Sequence, residues 1–194
     1  MSSKEIWSTR HLIVHPFSEK YLESLYAMHG NPEVVHLWAP GIEYHDFASF
    51  ASKITRRIAH RWDHYVVFEH KGSGCVSGFA YCYNGNRFNN ITFMCVYLDL
   101  PLMGTVSCIE AAYAYLNNLF VVHDYRKVYA EVFAYNRRSI GLLEKGGFVL
   151  EGCLINHQLW RDVYWNQYIY GLDKERYQMM AGMKSKLIKR LLHG

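Results

Sequence analysis

Between residues 65 and 98 the chain carries three apolar runs of strand length: Tyr65 to His70, Cys75 to Tyr83 and Asn90 to Leu98. Lys71-Gly72-Ser73-Gly74 separates the first two, and Asn84-Gly85-Asn86 the last two. Asn-Gly between apolar runs signals a hairpin, because both residues accept the positive φ of a tight turn. An antiparallel meander is therefore expected. The next run of strand character, Lys127 to Ala134, arrives only after a helical stretch. Strand–helix–strand implies a right-handed crossover. A chain holding both features folds around a mixed sheet, so a purely parallel fold is excluded.

The other elements fit around that sheet. Arg10 to Pro16 reads as a first strand stopped by proline. Ser18 can cap a helix to about His29, Pro32 suits a helix N1 position, and a longer helix spans roughly Tyr44 to Arg61. Asn136 can cap a short helix through Lys145, closed by Gly146-Gly147. Phe148 to Leu154 and Val163 to Gly171 are two further strands, joined by a loop from Asn156 to Asp162. A final amphipathic helix runs from Tyr177 to Leu192, with Met180, Met183 and Leu187 on one side and lysines on the other.

At 194 residues, with 51% hydrophobic and 20% charged residues, one globular domain is expected, spanning 1–173 with a basic helix at 174–194. From Lys174 onward six basic residues face one acid, so the tail carries +5 and the body −1 of the net +4. Basicity belongs to the tail, and nucleic acid is not an expected partner. That helix suits docking on the body or a homodimer, with a membrane surface or an acidic partner as alternatives. Five scattered cysteines in apolar runs read as reduced thiols of a cytoplasmic protein. No run approaches a membrane span. None of the eleven histidines has metal-ligand spacing, so no metal is expected.

Tyr97 to Phe120 adds chemistry: an apolar strand, a loop at Pro101 to Gly104, then a helix that Thr105 or Ser107 can cap. Ile109, Ala112, Leu116, Leu119 and Phe120 fall on one face of that helix. A loop feeding a helix N-terminus can hold a phosphate, although a structural crossover explains the same pattern.

The segment Asn136-Arg137-Arg138-Ser139-Ile140-Gly141-Leu142-Leu143-Glu144-Lys145-Gly146-Gly147-Phe148, continuing to Glu151-Gly152, is similar to the Asn-x-x-Ser…Leu-Glu-Lys-x-Gly-Phe…Glu-Gly segment of one GNAT branch. That branch holds ribosomal-protein N-terminal and spermidine acetyltransferases. Arg10 to Phe17 resembles its first strand, and the resemblance covers about residues 10–173. It implies the GNAT fold: α/β (α+β), with a mixed, mostly antiparallel sheet of about seven strands and helices on both faces. It also implies acetyl-CoA, or another acyl-CoA, as co-substrate and a small-molecule or peptide amine as acceptor. The pyrophosphate loop would comprise Met103, Gly104, Thr105, Val106, Ser107 and Cys108, with Asn136 contacting cofactor or substrate and Ser139 near the leaving thiolate. In that alignment Met103 replaces a cationic or amide residue, and Val106 and Cys108 replace glycines. Met103 brings no charge, and Val106 is expected to narrow the approach.

Acyl transfer to an amine needs a neutral amine, donors for the oxyanion and a proton for the thiolate. Lysine-like amines, with pKa about 10.4, need a base more than α-amines at roughly 7.7–8.0. Val96, Tyr97 and Leu98 could pair their backbone with the pantetheine amides, as an added strand would. Ser139 is the acid candidate. Glu131, His64, Tyr83 and His157 are base candidates; Glu131 shares a face with Tyr129 and Phe133 and could equally pair with Lys127 or Arg138. Trp38, Glu43, Tyr83, His157 and Trp160 are the expected acceptor-binding residues. Three readings stay open: an N-acetyltransferase, an acyltransferase using a longer acyl-CoA or an acidic acyl-carrier protein, and a non-catalytic binding module.

Overall fold

The computed structural model describes residues 7–38, 40–41 and 46–183. Eight strands form one sheet in the order β1-β2-β3-β4-β5-β6-β8-β7. Their ranges are β1 Trp7–Ser8, β2 Leu12–Pro16, β3 Asp63–His70, β4 Cys75–Asn86, β5 Ile91–Leu98, β6 Lys127–Phe133, β7 Val149–Trp160 and β8 Val163–Asp173. The helices are α1 Leu22–His29, α2 Phe47–His60, α3 Val106–Asn117, α4 Arg137–Lys145 and α5 Lys174–Met183. All neighbouring strands pair antiparallel except β5 and β6. The sheet exceeds the expected seven strands by the two-residue β1.

Alternate strand residues serve two cores. Tyr65, Val67, Phe79, Tyr81 and Tyr97 pack with Leu25, Met28, Phe50 and Ile54 of α1 and α2. Val66, Phe68, Ala80, Met94 and Leu98 face the other way, onto Ala111, Tyr115 and Leu116 of α3. Strand period two thus delivers helices to both faces, as expected. α3 keeps part of its expected stripe: Leu116, Leu119 and Phe120 are buried in the core, but Ile109 and Ala112 are not. Its buried line also takes in Ser107, Glu110, Ala111, Ala114 and Tyr115. Glu110 is fully buried because Thr9 Oγ1 (2.7 Å), the His11 amide (3.0 Å) and His11 Nδ1 (2.7 Å) surround its carboxylate.

Several local expectations shift. Asn84-Gly85 forms a bulge rather than the hairpin turn: the register slips between Tyr83 and Asn86, and the turn falls at residues 87–90. The loop expected at Asn156–Asp162 is strand almost throughout. Asn156 (φ 51°) sits where the β7 register breaks, and Arg161-Asp162 (φ 51° and 60°) make a two-residue turn. The restart at Pro32 yields only a single 3-10 turn, Val35–Leu37. Ser18 makes no side-chain cap bond: it precedes a 3-10 turn, Glu19–Tyr21, and α1 starts only at Leu22. The caps of α3 and α4 fall as expected. Asn136 Oδ1 accepts from the Ser139 amide (3.2 Å), and Gly147 takes the positive φ (92°) that ends α4. α5 begins three residues earlier than expected and docks on the body. Tyr177 is buried, stacks on Phe120 (4.9 Å) and reaches Asn117 Oδ1 (3.4 Å). The basic residues from Lys184 onward lie outside the described residues.

Candidate active site

β5 and β6 stay in register over only three pairs, Ile91–Lys127, Thr92–Val128 and Phe93–Tyr129. Beyond them each strand keeps its outer neighbour: β5 follows β4 to Leu98, and β6 follows β8 to Phe133. The two strands part, and the β6-facing backbone edge of residues 94–98 borders a cavity of about 750 Å³. Strand edges left outside a ladder present N–H and C=O groups that an extended ligand can pair with.

The mouth of this cavity is cationic. Gly104 has φ 79°, a conformation glycine adopts without strain, and turns the chain into α3. Thr105 Oγ1 caps the helix by accepting from the Ser107 amide (3.3 Å) and donates to Leu102 O (2.7 Å). The Cys108 thiol donates to the same carbonyl (3.1 Å). Its pKa is raised by burial, against the pull of the Gly104 and Thr105 backbone and the Arg138 charge. Arg138 therefore stands close to the loop, and Arg137, Arg138 and Lys145 of α4 all line the cavity. The positive end of α3 and these side chains carry the positive charge on this side of the cavity, and Met103 carries none.

Nearer the apex, where β5 and β6 still pair, the wall is aromatic. Trp62 stacks on Tyr81 (4.1 Å, 22°), and Tyr81 packs against Tyr83 (6.0 Å). Tyr83 OH donates to Glu131 Oε2 (2.8 Å). Burial first, and then the Glu131 charge, raise the pKa of this phenol, so Tyr83 is a proton-bearing donor and not a base. Glu131 itself is exposed. It bonds Tyr83 instead of the alternative partner Lys127, which pairs with Glu151 (2.6 Å). Two cavity thiols are poor nucleophiles: burial pushes Cys95 up to about 12 and raises Cys108. Trp38 Nε1 is buried with no hydrogen-bond partner among the described residues.

Of the residues singled out in the sequence, Trp38, Tyr83, Val96, Tyr97, Leu98, Met103, Gly104, Thr105, Cys108, Glu131, Asn136 and Ser139 line this one cavity. Val106 is exposed, Ser107 is buried, and neither lines it. Asn136 spends its side-chain oxygen on capping α4, and its amide points to Leu37 O (3.5 Å). His157 lies exposed on β7. Trp160 stacks on His36 (4.7 Å, 4°) beside a separate concavity of about 550 Å³. Neither His157 nor Trp160 lines the main cavity. Glu43 lies outside the described residues. His64 stacks on His123 (3.6 Å) and contacts Tyr125 OH (3.2 Å), and it too lies off the cavity.

Sequence reasoning passed over Trp62, Tyr81, Phe133, Arg137 and Lys145 as site residues, yet all five line the cavity. Arg137 and Lys145 flank Ser139 on a helix already singled out, and that proximity was the available signal. Ile109 and Ala112, expected in the core stripe, also line it. Among the described residues no His, Cys, Asp and Glu side chains cluster to hold a metal, and no helix is long and apolar enough to cross a membrane.

Known proteins share this architecture. A GCN5-related N-acetyltransferase from Brucella melitensis superposes with a TM-score of 0.77 at 16% identity, over 96% of this chain and 86% of that one. A spermidine N-acetyltransferase from Vibrio cholerae, solved with CoA and spermine, gives 0.75 at 17% identity, over 87% and 98%. A protein from T. thermophilus, provisionally assigned as an acetyltransferase, gives 0.75 at 22%, over 98% and 99%. No curated protein sequence matches significantly. The acetyltransferase (GNAT) domain family matches residues 11–149. With most of its length matched and its sheet parted at β5 and β6, the chain belongs to the GNAT acetyltransferases, enzymes that take their acetyl group from acetyl-CoA.

Proposed function

We propose that this chain transfers the acetyl group of acetyl-CoA directly to a primary amine of a small molecule or peptide, within the β5–β6 cleft. One observation carries the reading: the parted strands bound a single cavity with a cationic mouth and an acid–phenol pair towards its apex. Acetyl-CoA would supply an activated thioester. The residues present suit it. Arg137, Arg138, Lys145 and the α3 N-terminus hold phosphates, and the β5 edge at Val96 to Leu98 pairs with an extended amide chain. Ser139, in the first turn of α4, passes a proton to the departing thiolate and regains the second proton released by the amine, directly or through water. Glu131, fixed by Tyr83, binds the ammonium group and takes its proton, directly or through water. The protonated state of Cys95 and Cys108 favours direct transfer over a cysteine-bound acyl group.

Thiol release from acetyl-CoA and from acyl-CoA donors of increasing chain length, with a panel of amines, tests this. Amine-dependent release that is greatest with acetyl-CoA is expected. Preference for a longer chain would reassign the donor, and no release with any donor would leave a binding module.

A further inference from the structure

The cavity passes through the sheet, and its two sides carry different parts; the inference drawn from them rests on the transferase reading above. Val96, Cys108 and Leu143 pack against the core under α3, on the side of the phosphate-binding loop. Leu37, Trp38, Tyr83 and Cys95 line the same cavity but pack against the other core, with α1 and α2. A donor held by the α3 N-terminus and α4 approaches from the first side. The amine must then reach the thioester from the second, where Tyr83 fixes Glu131. Leu37 and Trp38 border that path.

The segment that carries them is a single 3-10 turn, Val35–Leu37, too short to be held by its own hydrogen bonds. Before the turn, Val34 is fully buried. After it, the Trp38 ring rests on Phe79 (5.4 Å) and His29 (4.5 Å). The middle is held from outside. Tyr135 OH donates to His36 O (2.6 Å), and Asn136 Nδ2 donates to Leu37 O (3.5 Å). Burial pushes the Tyr135 phenol up to about 12, so it keeps the proton it donates. The His36 ring lies flat on Trp160, the last residue of β7 (4.7 Å, 4°). Tyr135 packs on the same indole (4.5 Å), and Arg161 lies over it (4.6 Å). Neither Tyr135 nor Trp160 lines the cavity.

We propose that Tyr135 and Trp160 are positioning residues for the acceptor. One grips His36 by its carbonyl and the other by its ring, and together they keep Leu37 and Trp38 at the wall of the acceptor's path without touching the amine. Each grip is a single hydrogen bond or a single aromatic pair. Losing one leaves the segment in place in a smaller fraction of molecules, and the apparent affinity for the amine falls with that fraction. The donor site lies on the opposite side of the sheet and is left unchanged.

The test is steady-state thiol release by the full chain with acetyl-CoA and whichever of spermidine, 2-phenylethylamine and trialanine gives the highest kcat/KM. Trp160→Ala and Tyr135→Phe should each raise KM for that amine about 3- to 10-fold, the scale of one such contact, and leave KM for acetyl-CoA unchanged. Trp160→Phe keeps a ring on His36 and should restore most of the wild-type KM. His36→Ala should repeat the effect of Trp160→Ala, and combining the two should add nothing, since both remove the same stack. Should Trp160→Ala not fold, Tyr135→Phe, which deletes one oxygen, decides alone. An unchanged KM for the amine, or an equal rise in KM for acetyl-CoA, overturns the positioning role and leaves the transferase reading intact. No release by the wild type with any of the three, nor with any other amine, fails the transferase reading itself and the positioning role with it.

Discussion

At the residue scale, environment divides the work between Tyr83 and Glu131. Burial and the adjacent carboxylate hold the phenol protonated, so it donates at 2.8 Å and orients Glu131 towards the cavity. Glu131→Gln keeps the shape but removes the proton acceptor, and kcat/KM should drop about 10²-fold, the usual worth of a positioned acid or base. Tyr83→Phe should cost less, since it loosens the carboxylate without removing it. Ser139→Ala should lower kcat with KM for acetyl-CoA unchanged; an unaltered kcat would move the proton source to solvent. Glu110 makes a separate point about stability. Its carboxylate is fully buried and satisfies Thr9 and His11, so Glu110→Ala would orphan those donors. A loss of about 1–3 kcal/mol in denaturant unfolding is expected. Nothing local in the sequence marks Glu110 as buried, because its partners lie about a hundred positions away.

At the element scale, α4 does two jobs. Its N-terminal turn carries Ser139, and its cationic side chains reach the cavity beside the α3 loop. Arg138→Glu should raise KM for acetyl-CoA roughly 10-fold, with the difference from wild type shrinking at high salt. An unchanged KM would remove Arg138 from the donor site. At the other end of α4, Gly147 has φ 92°, and an added methyl would run into Met180 of α5. Gly147→Ala should therefore cost at least about 1–2 kcal/mol from backbone strain alone and lower the melting temperature.

Legibility also divides by element. Caps were readable because they are local: Thr105, Asn136 and Gly147 each act within three residues of their own position. Turns were readable in kind and in part in place: Lys71 to Gly74 turns between β3 and β4 as expected. Asn84 takes its expected positive φ (49°), yet it does so in a bulge, because β4 continues to Asn86. The polar run after Leu154 looked like a loop, whereas an edge strand tolerates polar, exposed residues along most of its length. The cavity's aromatic wall was hidden for another reason. Trp62 and Tyr81 meet across nineteen positions, and a strand tyrosine carries no mark of whether it faces core or cleft.

At the scale of the whole molecule, two histidines tie stability to pH. Burial is the larger cause in both cases. It lowers His29 from 6.5 to about 3 and His64 to about 4, with Arg57 and His123 respectively adding to the effect and Asp63 partly offsetting it at His64. The folded values lie below the unfolded one, so the unfolded chain binds more protons across that window. Their contribution to stability is present above the ordinary value of 6.5 and is lost as pH falls towards about 4 and then 3. The melting temperature should fall steadily from neutral pH to about pH 4. His64→Asn should flatten part of that slope, since asparagine accepts the φ of 54° found there. A melting temperature independent of pH across this range would contradict the neutral assignment of the buried His29 and half-buried His64 rings.

Whole-molecule architecture also concentrates the functional claim in one place. A sheet whose central strands part after three pairs yields one cleft, and the cations at its mouth come from α4 and the α3 N-terminus, not from a basic residue at Met103. Isothermal titration of the full chain with acetyl-CoA, for wild type and Arg138→Glu, tests this most directly. One site per chain is expected, with a dissociation constant in roughly the micromolar range typical of such substrates, weakened in the variant. No binding of acetyl-CoA by the wild type at about millimolar concentration, the upper end of that range, would contradict it.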